Sequence, residues 1–456
     1  MLMRIFLILI TIVLAGISFV KSKNTATSFP GFQVPVGNDG LRVADSEPLR
    51  KYSVNPLVEY ARGSTDNQSD PSNLNQRIDQ PRAYSLQPIA SIRPVGRIVQ
   101  ERPFYQEEII DPDSSYPMAH VASMTELPDG TLAATWYAGS GEVQPDVKIY
   151  FALKKKGELL WSESRIIMTR EKASHELQRY IKALGNALIF SEVDGTLRIL
   201  YVTISMGKWS GSMLNLTSSC DGGITWKRSR RLFLSPFFNL SELVKNAPTP
   251  LESGGWAIPI YQEFLGKFPE LLWLMPEKNS VCGENSFLRA SKSRIAGGCS
   301  FFQPSMTAFN SPSAVVFLRD YMTSGKIWRT KTVDAGSSWS QPEPTTLPNH
   351  DSGLASLRLS NGWLLLAFND STTSRDNLRL ALSKDEGKTW KRIATIAEEP
   401  KSDFSYPYFL QTQDGMIHLL YSWKRRHIHH VVFNEEWVRK QETGDRKQAG
   451  LIHRNV

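Results

Sequence analysis

The chain has 456 residues, a net charge of +8, 41% hydrophobic and 10% aromatic residues, enough to bury a sizeable core in one large domain or two ordinary ones. Its 12 tryptophans favour an all-β protein with aromatic packing over a helical bundle. No block of Lys and Arg interleaved with aromatics is present, which argues against a nucleic-acid partner. The three cysteines, Cys220, Cys282 and Cys299, are too few for a disulfide framework and lack metal-ligand spacing, so no metal or other cofactor is expected. The net charge fits a mildly basic surface or a basic funnel for an anionic substrate, and does not choose between them.

Residues Ile5 to Val20 form an apolar run after Arg4, broken only by Thr11, Gly16 and Ser18 and followed by Lys21 and Lys23. This is the pattern of a signal peptide or short signal anchor over 1–21, with Gly16-Ile17-Ser18 as the best cleavage candidate. Export is therefore expected, to a periplasm, to the exterior, or to a membrane through a single N-terminal anchor. From Ser22 to about residue 100 the chain is rich in Ser, Asn, Asp, Gln, Arg and Pro and reads as a polar linker, with one short strand near Ile89 to Ile92.

From about residue 101 short runs of β-branched and aromatic residues alternate with turn residues, the texture of strands. A turn motif, Ser/Thr-x-Asp-x-Gly-x-Thr/Ser-Trp, ends at Trp226, Trp339 and Trp390, and eroded copies end at Trp161 and Trp437. Its Asp bonds backbone N–H groups of its own turn, its Gly takes left-handed dihedrals and its Trp packs as a plug. Cys220 lies inside the first full copy and reads as a packed free thiol; if the chain is exported, Cys282 and Cys299 are placed to close a loop. A second signal is a hairpin turn between apolar strands, at Asp129-Gly130, Asp194-Gly195, Ser253-Gly254, Asn361-Gly362 and Asp414-Gly415. The interval from Trp226 to Trp339 (339 − 226 = 113) is roughly twice the others, so one unit has lost its motif and the array has six units. Repeats of several strands at this spacing imply an all-β, six-bladed β-propeller over 101–440, with a polar tail over 441–456.

In a propeller the residues that begin the innermost strands converge on one mouth. Counting back from each hairpin gives His120 in the first unit, Gly185 and Asn186 preceded by Arg179 and Lys182 in the second, and Lys245 with Asn246 in the third. The fourth offers Gln303 and Ser305, the fifth Asn349, His350, Asp351 and Ser352, and the sixth Tyr406. Polar residues at one phase in every unit mark this mouth as the candidate site, with Asn186, Lys245, Asn246 and Asp351 as candidate substrate ligands.

Over about residues 115 to 437 these Asp-boxes and the strands around them resemble the sialidase superfamily. The resemblance implies three arginines that clamp a substrate carboxylate, an Asp acid/base, and a Tyr nucleophile activated by a Glu. Carried onto this sequence, it implies Tyr406 as nucleophile, Asp146 as acid/base, and Arg319 and Arg375 as clamp residues, with Arg379 as a nearby alternative. Two positions depart from the pattern. His120 stands where the first clamp arginine would be, and Gln303 where the Glu partner of the tyrosine would be. Histidine cannot make a bidentate guanidinium contact, and an amide can orient a phenol but not take its proton. A modified site fits better, using His120 as acid or base, with Glu142, Glu263 or Glu270 replacing the missing carboxylate. The expected activity is that of an exo-glycosidase of sialidase type on a sialic acid or other acidic sugar of a glycan. The alternatives are a glycan-binding propeller without turnover, a uronate-directed polysaccharide lyase using His120 and Tyr406, and a protein-interaction propeller.

Overall fold

The computed structural model describes residues 102–444 apart from 236–238, 253, 277–287, 311 and 323. The apolar N-terminal run, the linker with its strand at Ile89 to Ile92, Ser253 and Cys282 lie outside the described residues. Among the described residues no helix is long and apolar enough to cross a membrane.

Six antiparallel sheets form the blades. Blade 1 holds β2 (Met118–Glu126), β3 (Leu132–Gly139), β4 (Lys148–Lys154) and β5 (Arg165–Met168). Blade 2 holds β6 (Ala183–Ser191), β7 (Leu197–Ile204), β8 (Ser212–Ser219) and β9 (Arg230–Arg231). In blade 3 the first strand is split into β10 (Leu243–Val244) and β11 (Thr249–Pro250), both paired with β12 (Trp256–Gln262), which β13 (Phe268–Pro276) and β14 (Leu288–Arg294) follow. Blade 4 holds β15 (Phe301–Asn310), β16 (Ser313–Asp320), β17 (Lys326–Thr332) and β18 (Glu343–Pro348). Blade 5 holds β19 (Ala355–Arg358), β20 (Leu364–Phe368), β21 (Asn377–Ser383) and β22 (Lys391–Glu398). Blade 6 takes β23 (Phe404–Gln411), β24 (Ile417–Trp423) and β25 (His427–Phe433) from the C-terminal end, and its outer strand is β1 (Tyr105–Ile110).

First strands of successive blades pack on one another in a closed ring, with β23 returning to β2. That position explains their composition. Every residue of β2 except Glu126 is buried, whereas in the outer strand β22 only Ile396 is buried and the rest are half-buried or exposed. A strand covered on both faces reads as a continuous small or apolar run.

The Asp-boxes hold neighbouring blades together. In the first, the Ser219 hydroxyl donates to Asp221 (2.6 Å), while Gly223 N–H donates to Ser219 and Thr225 N–H to Asp221 (2.8 and 2.9 Å). The same network recurs around Asp334 and Asp385. Gly223 and Gly387 have φ of 86° and 83°, and a Cβ at either would meet Phe151 at 2.5 Å or Phe317 at 2.6 Å, side chains of the preceding blade. Trp226 and Trp390 pack edge-on against the same two phenylalanines.

Three expectations are corrected. Trp437 is not the plug of a sixth box: it lies in helix α2 (Glu435–Thr443), capped by Asn434, and stacks on Tyr105 of β1 at 4.9 Å. That helix runs to Thr443, with Glu435 and Glu436 in its first turn and Gly444 as the left-handed cap, and residues 445–456 of the expected polar tail lie outside the described residues. Cys299 is a free, exposed thiol, so it does not pair with Cys282, and Cys220 is disulfide-bonded to a partner outside the described residues. A second helix, α1 (Arg170–Leu177), is N-capped by Thr169 and links blades 1 and 2.

Candidate active site

Four inner strands carry a bulge at the same phase. Register slips between His120 and Ser123, Leu184 and Ala187, Phe302 and Ser305, and Ser405 and Tyr408. The first bulged residues are Val121, Gly185, Gln303 and Tyr406. Val121, Gln303 and Tyr406 take φ of 50°, 49° and 55° although none is glycine. Each such residue costs about 1–2 kcal/mol, and strain of this kind is retained where it aims a side chain. Pro304 and Pro407 follow directly and have no N–H to rejoin the ladder. Gln303 and Tyr406 thereby line a cavity of about 140 Å³ near the ring axis.

The floor is built by blade 3. Lys245 is buried, and its three ammonium donors meet Asn246 Oδ1 (2.8 Å), Leu354 O (2.7 Å) and Pro407 O (2.7 Å). Asn246 donates to Gln303 O (3.2 Å) and Pro304 O (2.8 Å). Lys245 and Asn246 therefore satisfy the carbonyls that the bulges of blades 4 and 6 turn inward, and bind blades 3 to 6 at the axis. Burial, reinforced by Arg319, pushes the Lys245 ammonium below its ordinary range. Gly353 lies against the same cluster: a Cβ there would meet Gln303 Oε1 and Tyr406 Cδ1 at 3.2 Å and Lys245 Cε at 3.3 Å.

Arg319, next to last in β16, stands opposite Phe302 and lies over that ring at 4.4 Å. Its Nε donates to Asp351 (2.7 Å) and its Nη1 to Gln303 Oε1 (2.8 Å). Burial opposes its charge, but the Tyr406 phenol and Asp351 outweigh that and hold the guanidinium firmly protonated. Gln303 also donates to the Tyr261 hydroxyl (3.2 Å), so the amide orients Arg319 and Tyr261 rather than taking a proton from Tyr406. Arg375 donates to Asp351 O (2.7 Å) and stands 5.9 Å over the Tyr406 ring. Asn186 is in the wall and donates to Val244 O at 2.8 Å.

His120 is fully buried and edge-on to Tyr406, ring centres 4.6 Å apart. Its Nε2 is 3.5 Å from Glu142, which also pairs with Arg425, and neither ring nitrogen has a hydrogen-bond partner. Burial, then Arg425 and Arg375, push its pKa well down, so the ring is neutral.

The expected residues thus divide. Tyr406, Gln303, Arg319, Asp351 and Asn186 line one cavity; His120 and Arg375 stand behind Tyr406, and Lys245 and Asn246 beneath it. Asp146 does not line the cavity: it is exposed and accepts from Ser140 N–H (2.8 Å) and Oγ (2.7 Å), closing its own loop. Arg379 pairs with Asp370 and Glu398, away from the cavity. Of the three glutamates, Glu263 lines the cavity and pairs with Lys267, Glu142 reaches His120, and Glu270 faces Lys292 and Glu242 elsewhere in blade 3.

The aromatic wall was not anticipated: Tyr137, Trp209, Tyr261, Phe302 and Tyr321 line the cavity, with Lys267. Tyr137 pairs in register with His120, so extending the ring to the second strands would have found it. Burial pushes the Tyr137 and Tyr261 phenols well up, which keeps them neutral. Among the described residues no three His, Cys, Asp or Glu side chains converge as metal ligands.

A family model described as BNR repeat-like domain matches residues 130–419. The chain belongs to the BNR repeat-like family. The BNR propeller shares its fold with solved sialidases. Over 71% of this chain and 67% of the other it is similar to the Hadza microbial sialidase Hz136, with 16% identity and a TM-score of 0.58. The NanB sialidase of Streptococcus pneumoniae matches 72% of this chain over 70% of its own, with 12% identity and a TM-score of 0.53. A protein of unknown function from Dyadobacter fermentans matches 73% of this chain over 98% of its own, with 15% identity and a TM-score of 0.56. No curated protein matches the sequence.

Proposed function

We propose that the BNR propeller is a glycoside hydrolase of sialidase type, acting on a terminal sialic acid or other acidic sugar, with Tyr406 as nucleophile. The observation that carries this reading is that Tyr406 and Arg319 line one cavity, Tyr406 turned into it at φ 55° and Arg319 fixed there by Gln303 and Asp351. Arg319, in the cavity wall with Tyr406, and Arg375, 5.9 Å over the Tyr406 ring, carry guanidinium groups suited to a sugar carboxylate. The phenol oxygen attacks the anomeric carbon as its proton passes to a carboxylate of the wall, the glycosidic C–O bond breaks, and the departing oxygen takes that proton. With Asp146 outside the cavity, Glu263 is the wall carboxyl assigned to deliver it. Water then releases the sugar from Tyr406.

The test is release of fluorophore from an aryl sialoside by the full chain. Turnover that falls to background in Tyr406→Phe supports the reading. A folded protein with no turnover at high enzyme concentration ends it.

A second reading, glycan binding without turnover, is favoured by one observation. Arg319 is already paired with Asp351 and Gln303, and no carboxylate among the described residues is hydrogen-bonded to Tyr406. Retention on a glycan array without new reducing ends would select it.

A further inference from the structure

We infer that the glycan taken by this propeller is polyanionic: the residue next to the cavity sugar carries a carboxylate or sulfate group, held over blade 2 by Arg179, Lys182, Lys208 and Arg231. This rests on reading the cavity as the sugar site. A glycan whose end ring fills a cavity of about 140 Å³ carries its next residue over the rim.

Three segments of blade 2 lead to that rim: the link from α1 to β6 (178–182), the loop between β7 and β8 (205–211), and the end of β9 with the residues after it (231–235). They contribute the four cations and contain no Asp or Glu. Hydrogen bonds make the first two segments one surface. Lys182 N–H donates to Ile204 O (2.7 Å), Ser205 Oγ to Tyr180 O (2.8 Å) and Lys182 Nζ to Gly207 O (2.9 Å). Arg231 joins them through its charge: burial, and then the guanidinium of Arg179, push its pKa down to about 10. The patch meets the cavity at Trp209, next to Lys208. That indole lines the cavity and lies on the bulged Gly185, where a Cβ would meet it at 2.5 Å.

The cations of this patch have no counter-ion. Among the described residues the side chains of Arg179, Lys182 and Arg231 donate to the carbonyls of Leu177 (3.4 Å), Gly207 (2.9 Å) and Asn239 (3.0 Å), and none of the four pairs with a carboxylate. Glu176 of α1 is taken by Ser229 N–H (2.8 Å) and Lys172 (3.9 Å). The loops between second and third strands of blades 3 and 6 differ: there Lys267 pairs with Glu263, Lys424 with Glu399 and Arg425 with Glu142. Like charges gathered at a cleft repel one another and attract an anion, which removes that cost. Guanidinium and ammonium groups bind carboxylate and sulfate through charge-assisted hydrogen bonds. Tyr180, 70% exposed and next to Arg179, presents a ring to a sugar face. Continuity with the enclosed cavity favours a glycan over a nucleic acid as the source of the anion.

The test measures binding of sialyllactose, sialyllactose sulfated on its galactose, and disialic acid to the full chain by calorimetry. The two probes with a second anion are expected to bind at least about tenfold more tightly than sialyllactose at low salt, and the margin is expected to shrink as salt rises. The double variant Arg179→Gln, Lys208→Gln, both positions exposed, is expected to bring the three probes within about twofold without changing Tm. Equal affinities in the parent, a margin indifferent to salt, or a margin that survives the double variant overturns the inference. Tighter binding of a single-stranded oligonucleotide than of any glycan also overturns it. In a parallel arm a heparin hexasaccharide is compared with maltohexaose. Heparin binding that the double variant abolishes, with no sialic-acid probe bound, supports the anionic rim and removes the sialic-acid reading alone. Turnover of an aryl sialoside with equal affinity for the three probes keeps the hydrolase reading and overturns the rim. No binding of any probe overturns the inference.

Discussion

His418 Nδ1 lies 2.9 Å from His430 Nε2, with the two rings stacked at 5.1 Å and 17°. His430 Nδ1 is in turn 2.7 Å from Glu108 of β1, and that carboxylate also receives Lys154 of blade 1 (2.7 Å) and Trp161 (3.0 Å). The ring of blades is therefore fastened by a buried polar chain. Between the facing imidazole nitrogens there is room for one proton. A second charge on the pair breaks their bond.

Acid is expected to loosen this closure. Burial, then His430 and Lys154, depress the His418 pKa; burial depresses that of His430 against the pull of Glu108. A histidine depressed in the native state binds fewer protons folded than unfolded, so its stability contribution is present at neutral pH and is lost as pH falls below about 6.5. Glu108 has the same sign: despite burial, His430 and Lys154 hold it below its ordinary value, and its contribution fades as pH falls through the carboxylate range. Tm measured from pH 8 to pH 4 will fall toward acid, and His418→Gln will flatten the fall between pH 6.5 and 5. An unchanged slope in the variant would show that the pair does not carry the effect.

Lys245→Met will destabilise the fold by about 3 kcal/mol. It leaves the Leu354 and Pro407 carbonyls buried without a donor, at about 1–3 kcal/mol each. Urea titration reads this directly, and a change under about 0.5 kcal/mol would mean that water replaces the ammonium.

Gly353→Ala will cut turnover more than stability. Its new Cβ would lie within 3.3 Å of Gln303, Tyr406 and Lys245 together, so Tyr406, the proposed nucleophile, and the amide that holds Arg319 must each give by a few tenths of an ångström. The expectation is a loss of several-fold in kcat/KM, since a misplacement of about 1 Å costs about a hundredfold and the shift needed here is a fraction of that. Its Tm is expected to stay within a few degrees of the parent. Comparable activity in the variant would show that the cavity tolerates a shift of Tyr406.

Gly387→Ala tests the box as a joint between blades. The residue has φ of 83° and a Cβ would stand 2.6 Å from Phe317 of blade 4, so strain and clash add. A loss of about 2 kcal/mol or more is expected by denaturant unfolding. A loss confined to a few tenths would assign the box a local role only.

The blade count was legible because Asp-box spacing is a property of the chain itself, and Trp226, Trp339 and Trp390 occupy equivalent places between third and fourth strands. Trp437 misled because a tryptophan after an apolar strand looks like a box residue, while the signal against it, Asn434 followed by Glu435 and Glu436, is that of a helix N-terminus. The outer strand of blade 6 was hidden for another reason: β1 pairs with β25 across nearly the whole domain, and no local pattern in Tyr-Gln-Glu-Glu-Ile-Ile names its partner. In the site, Gln303 and Tyr406 were found because inner-strand phase repeats from blade to blade. Asp146 was not brought in because loop spacing does not encode side-chain direction, and Ser140 was near enough to capture its carboxylate. The aromatic wall escaped notice because Tyr137 and Tyr261, read along their strands, look like ordinary core residues.

Closure by β1 also orders events during synthesis. Phe104 N–H bonds Asn434 across 330 residues, so the first strand of the propeller to leave the ribosome is the last to find its place. Until β25 emerges, Tyr105–Ile110 has no partner, and until β1 returns, blade 6 presents an open edge to other chains. Vectorial folding of this protein therefore has a vulnerable interval just before completion, during which a chaperone or a second nascent chain competes for the same strand.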